Sequence, residues 1–529
     1  MSDSGPTRGT SGIHHVTGIT GNVQANVDFY AGFLGLKLVK QTAGYADDEQ
    51  LHLVYGDNVG SPGSLLTFLV WEATGRGRTG LGQVLEVSLA IPPHSVADWL
   101  TKALMAKISF EGPSREFGEP VLRLKDPDGM TVKLVGVDMP TAAPLADAPL
   151  RLRGVTLLSE QAALTAEFIT RFGYRYGERE GTTQRMVSDT DAVDVRGLSG
   201  FVPSVPGAGV PDHVAFRAQD AGAVQTMRQS LKDHGPTEVH DRRYFLSLYV
   251  RDPAGILLEY ATDGPGMAVD EAPDDLGRTL QMPPGERTRA EDIKALLPQF
   301  SMPGEERFPA RDLPFVHRFN RPDDPDGTTL VLLHGTGGNE ADLLPVARRM
   351  APRATLLGVR GRAAEAGTNQ WFSRVGFLSA DQEDLRREAD AFAAFVDGAV
   401  AGYGLDPNKL AFIGYSNGAT FLAAVLRLHP GVLRRVILLR GREVLQDAED
   451  VDLAGARVLT LAGQHDFLAD KKSALAESLG ARGAAIEARV LPVGHDISDA
   501  DVKEAGQWLR QHLAGGVGGS VPDASGSGK

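Results

Sequence analysis

The chain has 529 residues, 42% of them hydrophobic and 23% charged, and its 68 acidic against 54 basic side chains leave a net charge of −14. Single cores stop growing at about 250–300 residues, so two or three globular domains are expected, and the dispersed Lys and Arg exclude a nucleic-acid footprint. There is no cysteine, which excludes disulfides, thiolate metal sites and Cys nucleophiles and leaves His and carboxylates as the metal-binding side chains.

The N-terminal "MSDSGPTRGTSG" is polar, and no run of about 18 apolar residues occurs. Both points lead to the expectation of a cytoplasmic protein with no membrane partner. Four segments then share one plan of strand, helix and further strands. The first runs from "GIHHVTGIT" (12–20) through the helix pattern "ANVDFYAGFLGLKLV" (25–39) to "SLLTFLVW" (64–71). The second runs from "QVLEVSLAIP" (83–92) to "GMTVKLVGV" (129–137). The third opens with "LRGVTLLS" (152–159) and the helix pattern "LTAEFITRFGYRY" (164–176). The fourth opens with "PDHVAFRA" (211–218) and closes with "GILLEYAT" (255–262). The repetition predicts four βαβββ modules working in pairs.

Two copies of one turn expose a difference between modules. "DPDGMTVKLV" (126–135) and "DPAGILLEYA" (252–261) lead into the same kind of strand, but Lys133 stands where the second copy has Glu259. A carboxylate among Ile256, Leu257, Leu258 and Tyr260 needs a cation, a metal or a proton, because desolvation costs it several kcal/mol. Arg243 or Arg251 could serve as a plain ion-pair partner. His15 and His213, each followed by Val, occupy the first strands of modules one and four. Neighbouring first and last strands in a cupped sheet would bring them to Glu259 as a 2-His-1-carboxylate triad, a donor set suited to non-haem Fe(II). The matching places in the other modules hold Glu86, Lys133 and Gly154. His14 and His15 should face opposite sides of a regular strand, so one is a ligand and the other reads as a surface histidine.

Residues 263–312 are rich in Pro, Gly and charge and read as a junction with a short helix near 288–298. From 328 onward the apolar strands "TTLVLLHG", "LAFIGYS", "RRVILLRG" and "RVLTLAG" alternate with helices, the pattern of a parallel sheet covered on both faces. "GYSNG" (414–418) falls between a strand and a helix, where a G-x-S-x-G turn lifts its serine to the sheet edge. Asp466 ends a later strand and His495 follows the next, the Ser, Asp, His order of α/β-hydrolases. Ser416 is then the nucleophile, His495 its base and Asp466 the group that fixes the imidazole tautomer. The backbone N–H groups of Thr336 and Asn417 form the oxyanion hole, worth roughly 3 kcal/mol each in the transition state. His465 should face solvent.

Residues 313–513 resemble the carboxylesterase and phospholipase-like α/β-hydrolases by "LLHGTGGNEADLL", "GYSNGA", "GQHD" and "GHDI". The resemblance implies cofactor-free cleavage of a small acyl or ester substrate. "FLAD" (467–470) stands where relatives carry a Pro-containing turn.

Residues 11–300 resemble the vicinal oxygen chelate superfamily, within it the ring-cleaving dioxygenases that open hydroquinones, by "GIHHVT", "DFYAGFLGLKLVKQT", "RRYFLSLYVRDPAGILLEYATD" and "DEAPDDLGRTLQMPPGE". That resemblance implies Fe(II), with Mn(II) as the alternative, on His15, His213 and Glu259, and a small aromatic substrate that reacts with O2. It also implies proton-handling and polarising roles for His14, Tyr249 and Arg243. The segment before Tyr244 is one residue shorter than in the relatives, at the point where Arg243 is matched. A glyoxalase-like isomerase would need four ligands on Zn2+ or Ni2+, and Lys133 occupies the place of another carboxylate. A metal-free small-molecule binding module fused to an esterase would have no use for the triad.

The expected organisation is a two-part fusion: α+β paired βαβββ modules of the vicinal oxygen chelate fold, then an α/β-hydrolase with a mainly parallel, doubly wound sheet. Modules one and two span 11–140. Modules three and four span 150–265 and share their metal site with module one. A linker follows at 266–312, the hydrolase at 313–513 and a disordered tail at 514–529. The sequence is compatible with a homo-oligomer. A shared route for quinol compounds, in which an acyl product or a quinol ester is hydrolysed, would account for the fusion.

Overall fold

The computed structural model describes residues 11–44, 49–72, 74–141, 143–200, 202–309, 311–365, 367–376, 379–446, 449–466 and 472–513. The expected tail at 514–529 and the "FLAD" stretch lie outside the described residues. The chain forms two compact units: the first runs to Thr288 and takes in Leu297–Phe308, and the second comprises Arg289–Leu296 and the chain from Pro309 onward. Among the described residues no helix is long and apolar enough to cross a membrane.

In the first unit the four modules form two sheets, pairing one with four and two with three. The nine-stranded sheet has the order His240–Asp241, Phe245–Arg251, Leu257–Pro265, Pro211–Ala218, Ile13–Thr20, Leu65–Val70, Leu51–Gly56, Lys37–Ala43 and Leu280–Gln281. The eight-stranded sheet has Leu152–Ser159 and Gln83–Ile91 at its centre. The segments 11–140 and 150–265 therefore each give one module to each sheet. In the nine-stranded sheet the first strands of modules one and four run antiparallel, and each runs parallel to the last strand of its own module. All eight residues of Ile13–Thr20 are buried.

The turns that set these strands are local chemistry. Asp126 accepts hydrogen bonds from the backbone N–H groups of Asp128, Gly129 and Met130, and Asp252 accepts them from Ala254 and Ile256. The D-P-x-G sequence is thus an Asp-closed turn written twice. The helix predicted over 25–39 is shorter, Val23–Val27 continuing as a wide turn through Asp28–Phe33. Gly35 ends it at φ 75°, as Gly173 at φ 86° ends the corresponding helix of module three. A side chain at either site would be strained.

The stretch 266–312 is not a bare linker. Leu280–Gln281 pairs with Gln41 and Thr42 at the sheet edge, and Glu271 meets the fully buried Lys40 at 2.5 Å. Gln24 and Ser301 exchange hydrogen bonds of 2.9 and 2.8 Å. Glu271 and Ser301 are thereby tied into the first unit, which composition alone could not reveal. The short helix, Ala290–Leu296, belongs to the second unit.

The second unit has a seven-stranded sheet in the order His317–Asn320, Thr355–Val359, Thr329–Leu333, Leu410–Tyr415, Arg435–Leu439, Arg457–Gly463 and Ala485–Leu491. The first pairing is antiparallel and the other five are parallel. Two separate apolar clusters draw on alternate residues of these strands, as a doubly covered sheet requires.

Candidate functional site

Inside the nine-stranded cup, His15 Nε2 lies 3.0 Å and His213 Nε2 2.9 Å from Glu259 Oε2. The ligand atoms of the three side chains all fall within 4.8 Å of one another. Both Glu259 oxygens are buried and neither has a hydrogen-bond partner of good geometry. Neither Arg243 nor Arg251 pairs with Glu259; Arg243 is bound to Asp270. A buried carboxylate with two imidazole nitrogens converging on it fits a divalent ion better than a closed ion pair. Burial alone would raise the Glu259 pKa, but His15 and His213 hold it well below the ordinary range.

The groups behind the triad orient it. Asp212 Oδ2 lies 2.7 Å from His213 Nδ1, the carboxylate support typical of a metal-binding histidine. His14 Nδ1 lies 2.9 Å from His15 Nδ1. The strand register shifts between Ile13 and His15, and this bulge brings both rings together where regular alternation would part them. His14 is therefore a buried histidine, not the surface residue its position predicts, and burial lowers its pKa to about 3.

The register also defines the number of protein ligands. Ala215 stands opposite Glu259 in module four, and Thr17 opposite Thr67 in module one. Since His213 and His15 each lie two residues before the first member of those pairs, Thr67 is the counterpart of Glu259. Its hydroxyl is 2.7 Å from that of Thr17. The fourth-carboxylate place of an isomerase is thus held by Thr67, and Lys133 is not in this cup. Lys133 lies in the other sheet, 2.8 Å from Glu116 and 3.4 Å from Glu86. The unarmed cup is closed by an internal ammonium.

A cavity of about 250 Å3 opens over the triad. Val54, Leu65, Leu69, Phe245 and Met267 give it apolar walls, with Tyr249, Arg242 and His52 among its polar groups. The Tyr249 ring stands perpendicular to that of His213 with centroids 5.4 Å apart. Burial and then Glu259 raise its pKa. The arginine beside Tyr249 is Arg242, its guanidinium 5.6 Å from the ring centroid, and not Arg243 as matched from sequence. Arg243 adopts φ 67°, and this turn sends its side chain to Asp270 while Arg242 lines the cavity. His14 is not among the lining residues. His52 escaped the sequence reading; its Nε2 is buried without a partner, and burial lowers its pKa to about 3. The signal for it was its alternation with Val54 in "LHLVYG".

In the second unit Ser416 sits between the strand Leu410–Tyr415 and the helix Asn417–Leu428 at φ 52°, ψ −106°. A Cβ on Gly414 would come 2.6 Å from Ala419 N, and one on Gly418 2.4 Å from Leu333 O, so both glycines are required for this tight passage. His495 Nε2 lies 3.0 Å from Ser416 Oγ, and His495 Nδ1 lies 3.0 Å from Asp466 Oδ2. His465 is exposed. Asn417 begins its helix, where backbone N–H groups have no intrahelical acceptor. A Cβ on Gly335, next to Thr336, would come 3.0 Å from the Tyr415 ring and 3.6 Å from Ser416 Cβ. Trp371 ties both sides of this region: its backbone N–H donates to Asn417 Oδ1 and its indole N–H to His334 O, each at 2.9 Å.

Residues 12–134 match the glyoxalase/bleomycin resistance protein/dioxygenase superfamily. MhqO of Bacillus subtilis (strain 168), named as a ring-cleaving dioxygenase, is 35% identical over 287 residues, which are 52% of this chain and 91% of MhqO. The chlorohydroquinone/hydroquinone 1,2-dioxygenase of Sphingobium indicum is 28% identical over 294 residues, 52% of this chain and 91% of the relative. MhqD of Bacillus subtilis (strain 168), named as a hydrolase, is 34% identical over 186 residues, 35% of this chain and 93% of MhqD. The chain is a fusion whose N-terminal half belongs to the ring-cleaving dioxygenases of that superfamily and whose C-terminal half, an α/β fold, belongs to the hydrolase family of MhqD.

Proposed function

We propose that the N-terminal half opens the ring of a hydroquinone- or catechol-like phenol with O2, using Fe(II) held by His15, His213 and Glu259, and that the C-terminal half hydrolyses a small ester or acyl compound at Ser416. The observation that carries the first part is the fully buried Glu259 carboxylate, on which His15 Nε2 and His213 Nε2 converge at 3.0 and 2.9 Å beside the cavity those two histidines line. Left alone, such a group loses several kcal/mol of solvation, and a divalent cation restores it. Two histidines and one carboxylate suit Fe(II), and Mn(II) accepts the same donors. Bound Fe(II) supplies a path for electrons from the phenolate ring to O2.

The chain's own groups do the rest. The apolar walls hold an aromatic ring and keep water from it. Tyr249, its phenol kept protonated by burial and by Glu259, donates a proton to oxygen at the face of the ring nearest the triad. Arg242 orients that phenol. His52 stays neutral and accepts a hydrogen bond from a second ring hydroxyl. It lies on the strand Leu51–Gly56, two strands from His15, which favours a quinol with its hydroxyls at opposite ends. The name of the Sphingobium relative supports the same class.

In the second unit His495 takes the proton of Ser416 as its Oγ attacks an acyl carbon, Asp466 holds the imidazole, and the N–H groups of Thr336 and Asn417 receive the oxyanion. O2 uptake by iron-loaded protein over a panel of hydroquinones and catechols tests the first activity, and nitrophenyl acetate hydrolysis tests the second. Uptake with quinols and none with monophenols is expected. Protein that holds iron but consumes no O2 with any phenol overturns the first reading.

A further inference from the structure

The strand Arg435–Leu439 is followed by a residue outside the Ser416, Asp466, His495 triad, Arg440. Its side chain is completely buried together with that of Asp501, and its backbone takes φ 59°, a conformation an arginine adopts only when its surroundings impose it. All five guanidinium N–H groups are used. Nη1 and Nη2 donate to the two Asp501 oxygens at 2.7 and 2.8 Å, and Nη1 also donates to Leu461 O at 3.2 Å. The remaining two reach the loop that carries His495: Nε donates to Gly494 O at 3.0 Å and Nη2 to Asp496 O at 3.1 Å. The carbonyl between them, that of His495, accepts from the Tyr415 hydroxyl at 3.3 Å. Three consecutive carbonyls around the base are therefore each held by a side chain.

The other end of this arrangement is the nucleophile. Ser416 N donates to Leu439 O at 2.8 Å, so the dipeptide Leu439–Arg440 grips the nucleophile turn with one residue and the base loop with the next. We propose that Arg440, clamped by Asp501, is a positioning residue of the hydrolase that fixes His495 in register with Ser416. Asp501 lies in the helix Asp499–Leu513 and also accepts from Ser498 N and Oγ at 2.9 and 2.7 Å, which ties the helix start to the same clamp. The inference rests on the reading of Ser416 and His495 as nucleophile and base.

Arg440→Lys tests it, because lysine keeps the charge opposite Asp501 but cannot reach both loop carbonyls and the carboxylate together. Full-length wild type and variant are labelled with a small organophosphonate and assayed on nitrophenyl acetate. The expected result is complete but slow labelling of Ser416, with kcat about 100-fold down, the cost of misplacing a catalytic group by about 1 Å, and KM little changed. A smaller fraction labelled at the wild-type rate would mean that Arg440 serves folding alone, and would overturn the proposal. If Arg440→Lys does not fold, Asp501→Asn carries the test by loosening the carboxylate that clamps Arg440. A uniform fall in labelling rate supports the clamp, and an unchanged rate overturns it. Wild type that is never labelled at Ser416 refutes the hydrolase reading itself, a different outcome from a variant that matches the wild type.

Discussion

Tyr249 stands directly opposite Glu259 across the antiparallel strands Phe245–Arg251 and Leu257–Pro265. Opposed residues share a sheet face, and a slip by one position would turn the phenol away from the triad. Strand register thus places a phenol beside the carboxylate of the proposed metal site. Tyr249→Phe keeps the ring and removes the proton, so kcat for ring cleavage should fall at least about 100-fold with iron content unchanged. Steady-state O2 uptake checks this, and an undiminished kcat would assign the proton to another group.

Removing the ligand charge should remove the metal. Glu259→Gln presents a neutral amide where a dication needs a carboxylate, and dialysed protein should retain little iron by elemental analysis. Asp212→Asn leaves all three ligands in place and weakens only the support behind His213, so its iron affinity should fall by about 10–100-fold. Equal iron in wild type and Glu259→Gln would move the site elsewhere.

His52→Ala is expected to raise KM for a 1,4-quinol while leaving KM for a catechol, which has no hydroxyl at the far end of the ring, unchanged, a difference of about 10-fold for one lost hydrogen bond. Parallel titrations of the two rings by O2 uptake give the comparison. Equal effects on both would deny His52 a part in recognising the second hydroxyl.

The second cup, where Lys133 and Arg123 meet Glu116, makes a prediction about pH. Burial would raise the Glu116 pKa, but Lys133 and Arg123 pull it down to about 2 from an ordinary 4.5. A carboxyl depressed on folding stabilises the fold above its unfolded value and loses that contribution as pH falls through its folded value. Wild type should therefore be more stable than Glu116→Gln near neutrality, with the difference shrinking from pH 4.5 toward pH 2. Denaturant titrations at several pH values measure it, and a gap that stays constant with pH would contradict the assignment.

Ser416→Ala should abolish nitrophenyl acetate hydrolysis, a loss of about 10⁴-fold or more, and leave O2 uptake near wild type. If hydrolysis follows ring opening, this variant fed a quinol accumulates a ring-fission product that wild type converts further, as mass spectrometry would show. Identical end products from both proteins would place the hydrolase upstream or on an unrelated compound.

Both constellations were legible because each carries its chemistry in residue identity and chain order. Glu259 announced itself by breaking an apolar strand, and Ser416 by its glycines between a strand and a helix. What was not legible depended on register and backbone detail. The contact of His14 with His15 needs a bulge, Arg242 replaces Arg243 through one positive φ, and Thr67 matches Glu259 only once the pairings are known. Arg440 carries no signal in the sequence, since the carbonyls it holds are contributed more than 50 residues away.

The account stands most directly on whether the Glu259 site opens an aromatic ring. Protein loaded with Fe(II) without oxygen is mixed with a hydroquinone, then exposed to O2, and the product is identified by mass spectrometry beside Glu259→Gln treated in the same way. The account predicts that O2 and quinol disappear mole for mole, that the product is an open chain carrying added oxygen, and that the variant forms none. Formation of the quinone with its ring intact, or of the same open-chain product by Glu259→Gln, would contradict it.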